Sequence, residues 1–198
     1  CHSRAGLSKA FASGLQVVRC ARGTIRGHDG SAGDCPSGNK RFGGLGASLP
    51  SFGEVTRVVA GASRGVRRAG EELVVPAARP GPAVEGWLKQ QARAALAASC
   101  DRYAADVGKS YAALSLRDVR SRWGSCTSTG RLMFSWRLAM APRDVLDYVA
   151  AHEVAHLVHM DHSPAFRAVV ETLKPGWQAQ RDWLRQRGAD LHRYRFRD

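Results

Sequence analysis

No apolar run in these 198 residues approaches the roughly 20 that a membrane-spanning helix needs. The first 20 residues also lack the continuous apolar stretch of a secretion signal. Neither a membrane nor a secreted setting is therefore expected. Cysteine is scarce and unpaired: Cys1, Cys20, Cys35, Cys100 and Cys126 form no C-x-x-C pair and are odd in number. That pattern speaks against a disulfide framework and against a cysteine-based zinc knuckle, and it makes the cytoplasm the expected compartment. Acidic residues are few, 17 against 30 Lys and Arg, giving a net charge of +13 and a pI near 10.4. The basic excess is spread over both halves of the chain rather than held in one block. Clustered Lys and Arg bind phosphate nonspecifically, so nucleic acid is a candidate partner. Arginine far outnumbers lysine, however, and Ala and Gly are abundant, as coding-sequence bias would produce, so charge alone assigns no function. No methionine precedes Met133 and the chain opens on Cys1. The expectation is either a fragment or a chain whose first residues are not the natural start.

What is present is concentrated. Residues 152–162 hold four of the seven histidines and open with His152-Glu153-Val154-Ala155-His156, an H-E-x-x-H motif. On a helix, residues four apart project from one face, so His152 and His156 can share one divalent metal. Glu153 beside them suits a base acting on a metal-bound water. A catalytic zinc usually takes three protein ligands and leaves a fourth position open. His159 shares the helical face but would sit about 10 Å along the axis from His152, too far for three imidazoles about one ion. His162 faces away on a continued helix. Yet Ser163-Pro164 reads as an N-cap followed by a first-turn proline, so the helix stops and the chain turns at Met160-Asp161. His162 is the expected third ligand, with His159 in a supporting or pocket-lining role. A polar stripe on a surface helix is the plain alternative. Against it, the flanks Val149-Ala150-Ala151 and Leu157-Val158 are apolar, and a buried Glu153 without a task is costly. His2, His28 and His192 have no partner at ligand spacing and read as solvated.

Along the chain, residues 1–53 hold 11 of the 21 glycines and fit no helix or strand template. The expectation is an irregular or disordered segment, dispensable for the catalytic fold. Residues 54–82 read as a small β element and linker, with strands at 55–59 and 73–75 around a Gly/Arg-rich turn and a linker from Pro76 to Pro82. Residues 83–198 read as the catalytic domain. A helix over 83–107 carries an apolar stripe of Trp87, Leu88, Ala92, Ala95, Leu96 and Tyr103, and Gly108 stops it. A strand over 114–119 continues through Arg122 to Cys126, turns at 127–130 and returns over 131–138. Pro142 opens the metal helix, and further helices follow from Pro164 to about Lys174 and from about Gln178 to Arg187, the last stopped by Gly188. The fold class is α+β.

The stretch Arg120-Ser121-Arg122-Trp123-Gly124-Ser125-Cys126, then Ser135-Trp136-Arg137-Leu138, Pro142, Leu146-Asp147-Tyr148-Val149, His152-Glu153-x-x-His156-Leu157 and His162-Ser163-Pro164-x-Phe166, resembles the YgjP-like metallopeptidase family, related to SprT-like proteins in the zincin clan. The likeness covers roughly residues 84 to 196. It implies a minimal zincin-like core, an active-site helix packed on a β-hairpin or small antiparallel sheet with flanking helices. It also implies zinc on His152, His156 and His162. Zincins generally hold a peptide as an added strand on an edge strand beside that helix, here within 114–123 or 131–138. The expected function is a zinc metallopeptidase with Glu153 as general base. A phosphoester or nucleotide hydrolase is the alternative, with Arg120, Arg122, Arg131 and Arg137 clamping phosphates. A nonenzymatic, nucleic-acid-associated zinc module is a third reading. In the hairpin, Trp123 reads at least as readily as core and Gly124 as a bulge. Cys126 has no base near it in sequence and is not expected to be a nucleophile.

Overall fold

A computed structural model describes residues 16–19, 42, 44–62 and 65–197. Among these residues, two small mixed sheets and four helices build an α+β fold. The first sheet combines β2 (Ser48–Ser51), β3 (Glu54–Gly61), β4 (Arg67–Ala69) and β5 (Glu72–Pro76) in the order β2-β3-β5-β4. The expected strands at 55–59 and 73–75 are present as β3 and β5, and they pair in parallel. The intervening chain returns as β4 on the far side of β5. Leu49, Val58, Leu73 and Val75 are at most 1 % exposed and belong to the same core cluster as the helices.

Helix α1 (Pro80–Asp106) begins inside the expected Pro76–Pro82 linker, because proline is tolerated in a first turn whose N–H groups lack intrahelical partners. Its stripe buries Trp87, Leu88, Ala92, Leu96 and Tyr103. Gly108 ends it at φ +62°, a conformation that favours glycine.

The second sheet has the order β1-β7-β8-β6, with β1 (Gln16–Arg19), β6 (Ala113–Arg117), β7 (Arg122–Cys126) and β8 (Arg131–Ser135). The expected hairpin is β7–β8, antiparallel with Gly124 opposite Phe134. Two details differ from expectation. Strand 114–119 does not run on into 122–126; it lies on the other side of β8, parallel to it, so the sheet is mixed. The return strand stops at Ser135, and Trp136–Met140 coils into a 3₁₀ turn that buries Trp136, Leu138 and Met140.

Segment 1–53 also departs from a wholly irregular reading, although most of it lies outside the described residues. Where it is described it supplies β1, paired with β7, and β2, paired with β3. Glycine-rich composition weakens local propensity, but an open strand edge supplies the missing hydrogen-bond partners.

Helices α2 (Arg143–Ala155), α3 (Pro164–Leu173) and α4 (Gln178–Leu191) complete the fold. Gly188 does not stop α4. It lies against Trp123, where a Cβ would come within 2.9 Å of the indole, so this glycine serves close packing. Asp147 on α2 ties three helices together, accepting from Ser99 (2.8 Å), Tyr103 (2.6 Å) and Arg102 (2.8 Å) on α1 and from Lys174 just after α3 (3.0 Å). Arg137 fastens the C-terminal segment, meeting Asp118 with two nitrogens and donating to the carbonyls of Leu191 and Tyr194. No helix among the described residues is long and apolar enough to cross a membrane.

Candidate metal centre

α2 ends at Ala155, earlier than the expected turn at Met160-Asp161, so His156 is its C-cap rather than an interior residue. His152 still projects one turn below it, and both are buried, at 8 % and 1 % exposure. Tight turns follow, in which Leu157 and Val158 donate to the carbonyls of Val154 and Ala155. The Asp161 side chain accepts from the Ser163 N–H, and Ser163 caps α3 by accepting from the Phe166 N–H. Arg167 then reaches back 2.6 Å to the His162 carbonyl. These contacts turn His162 toward the other two histidines.

One ligand atom from each of His152, His156 and His162 falls within 4.8 Å of the other two. The Nε2 atoms of His152 and His162 face each other at 3.1 Å. Two ligands about 2.1 Å from a tetrahedral ion stand roughly 3.4 Å apart, so the triad suits one divalent cation. The nitrogen chemistry agrees. His156 Nδ1 donates to the His159 carbonyl at 3.0 Å, which leaves Nε2 as a lone pair, and that atom has no hydrogen-bond partner. Burial holds the His152 ring well below the usual histidine range and brings His156 to about 4, and it also lowers His162. All three are thus biased toward the neutral form that binds metal. His159 enters through its backbone carbonyl, a supporting role, and its side chain is outside the converging set.

Glu153 is fully buried and neither carboxylate oxygen has a partner. Burial raises its pKa well above the usual carboxylate range, and the Arg122 charge opposes that shift. Gly124 makes room for it: a Cβ there would stand 2.6 Å from Glu153 Oε1 and 2.7 Å from its Cγ. Gly124 keeps regular register with β8, but toward β1 the register shifts, with Trp123 and Gly124 of β7 facing the single Val18. The irregularity expected at this glycine thus lies on the β1 side, and the carboxylate pressed against the glycine leaves no room for a Cβ.

Sequence reasoning assigned no role to Phe166. It stacks on His156 at 4.4 Å and meets His152 and His162 edge-on, both at 4.9 Å, so one ring wedges all three. Its signal was positional: three residues after the Ser163 cap, it falls in the first turn of α3. Tyr148 contacts His152 edge-on and stacks on Trp177 at 5.8 Å. Trp123 is core, as one of the two readings had it, at 0 % exposure. His192, expected to be solvated, is half-buried and stacks on Trp123 at 5.1 Å; an aromatic neighbour draws it in. His2 and His28 lie outside the described residues. Cys126 is buried, and burial, helped by the Glu153 charge, raises its thiol to about 12, which rules out a ready thiolate.

Helix, hairpin and converging histidines together define a metallohydrolase-type centre of the H-E-x-x-H kind. The particular family follows: residues 51–187 match the YgjP-like, metallopeptidase domain, and the chain belongs to that family. The match reaches back through β3–β5, further than the motifs alone extend. No curated protein and no solved structure matches the chain.

Proposed function

We propose that this chain is a zinc-dependent metallopeptidase in which His152, His156 and His162 hold the ion and Glu153 is the general base. The observation that carries the reading is the pairing of three convergent imidazoles with a buried carboxylate that has no partner of its own. Burying a carboxylate without compensation is unfavourable by several kcal/mol. A cation in the triad would supply the missing charge. When bound, such an ion acidifies a coordinated water and polarises a carbonyl. The chain's own residues do the rest. Phe166 and the His159 carbonyl orient the imidazoles, and the apolar wall around Glu153 excludes water. Glu153, with its pKa raised, takes a proton and returns it to the leaving amine.

The phosphoester alternative relied on four arginines facing the metal. Arg137 is committed to Asp118 and two carbonyls, which weakens that clamp. A purely structural metal module leaves the Gly124–Glu153 contact without a purpose. Peptide or protein is therefore the proposed substrate, with the basic surface open to nucleic acid as an accessory partner. The buried free thiols of Cys100 and Cys126 suit a reducing, cytoplasmic setting. Glu153→Gln should retain stoichiometric zinc and lose hydrolysis of an unstructured protein by about 10⁴-fold, the upper end for general-base assistance. Turnover of nucleoside triphosphates alone by the wild type would overturn the peptidase reading. So would unchanged peptide cleavage in the zinc-loaded variant, which would remove Glu153 from the reaction.

A further inference from the structure

β7 carries a strand on each side, β8 inward and β1 outward. β7 is also the strand that touches the catalytic helix, because Gly124 at its middle abuts Glu153. The other outer strand, β6, is separated from β7 by β8. β8, one of the two stretches expected to offer a peptide edge, has neighbours on both sides and is closed. The sheet edge nearest the candidate centre is therefore the outer side of β7, and β1 covers it. The pairing is antiparallel, with Gln16 opposite Cys126, Val17 opposite Ser125 and, past an irregularity, Arg19 opposite Arg122. β1 thus runs the length of β7 and passes Gly124.

A strand edge presents unpaired N–H and C=O groups and accepts an extended peptide as an added strand. β1 meets that description from within the chain. It is also outside the matched family region, 51–187. We propose that the outer edge of β7 is the peptide-docking edge of the site and that β1 is its resident occupant, an internal competitor of extended peptide substrates. The peptide class rests on the peptidase reading; the competition rests on the strand order. The pairing is four residues long and interrupted, which suits a strand that an incoming peptide can displace. Apparent affinity scales with the fraction of molecules whose edge is free, so a strand seated nine-tenths of the time weakens binding about tenfold.

The test uses the full chain carrying Glu153→Gln, with and without Val17→Pro and Val18→Pro. In an antiparallel ladder alternate residues turn their N–H toward the partner, so one of two consecutive prolines removes a bond to β7. The probe is a fluorescent peptide, Gly-Leu-Gln-Val-Val-Arg, the sequence of residues 14–19. It should bind the proline variant about tenfold more tightly. Equal affinity in two chains of matching circular dichroism, or binding to neither, overturns the proposal. A second measurement needs no proline: excess peptide should speed hydrogen exchange at residues 16–19 of the parent, and indifference to the peptide overturns the proposal equally. Hydrolysis of an unstructured protein by the Glu153 chains separates the two ideas. Peptide binding gated by β1 without any hydrolysis supports the occupied edge and sinks the peptidase. Hydrolysis that the prolines leave unchanged keeps the peptidase and sinks the occupied edge.

Discussion

Asp147 and Glu153 lie on the same helix, less than two turns apart, and the fold treats them in opposite ways. Asp147 accepts from Ser99, Arg102, Tyr103 and Lys174. Burial pushes its pKa up, but the Tyr103, Ser99 and Lys174 hydrogen bonds outweigh it and hold the carboxyl below its usual range. Glu153 is deeper, has no partner among the described residues, and its pKa is raised. A buried carboxylate with four donors is a rivet. One with none, set beside three convergent imidazoles, is left uncompensated at a cost in stability, which marks a candidate functional group.

The comparison can be broken first at the metal. His162→Ala should lower zinc affinity by more than the ten- to hundredfold typical of losing a supporting partner, whereas His159→Ala should keep stoichiometric zinc, because only its backbone carbonyl is used. Metal analysis after dialysis against a graded chelator series checks both, and the reverse pattern would refute the ligand set. Next in size is the rivet itself. Asp147→Asn should destabilise the fold by about 3 kcal/mol, since it weakens a largely buried charged network. Glu153→Gln should leave metal-free stability unchanged or higher. Urea unfolding of the two variants side by side decides, and equal losses would erase the distinction between them.

Gly124→Ala places a methyl against the Glu153 carboxylate. Overpacking of this kind should destabilise by about 1 to 2 kcal/mol and lower turnover, while zinc binding persists. Full activity in that variant would show that Gly124 does not position the base.

The smallest expected effect concerns His192. Burial, with the Arg137 charge, brings this ring to about 4 in the fold, against about 6.5 when unfolded. Between those values the unfolded chain binds more protons, so stability falls as pH drops from about 6.5 toward 4 and is level above that window. His192→Phe keeps a ring on Trp123 and should flatten this slope. The site histidines add slope of the same sign in metal-free protein, so the difference between wild type and variant is the quantity to read from thermal melts across that pH range.

Much of the site was legible from local chemistry. Four-residue spacing put His152 and His156 on one face, and Ser163-Pro164 announced the turn that returns His162 to them. The β7–β8 hairpin followed from its turn residues, and Gly108 from its position after an apolar stripe. Each of these depends on residues only a few positions apart, so the sequence by itself determined them. Gly188 misled because its role is to admit Trp123, a neighbour from another element. At Gly124 the irregularity was legible and falls against β1, but the neighbour that excludes a Cβ, Glu153, was not. Only the tertiary structure decided that β6 lies parallel to β8 on the far edge, that Arg137 serves the C-terminal segment, that Phe166 wedges three imidazoles, and that β1 pairs with β7, the strand against α2. In each case the deciding partner is remote in sequence, and burial and strand pairing select among partners that local propensity cannot tell apart.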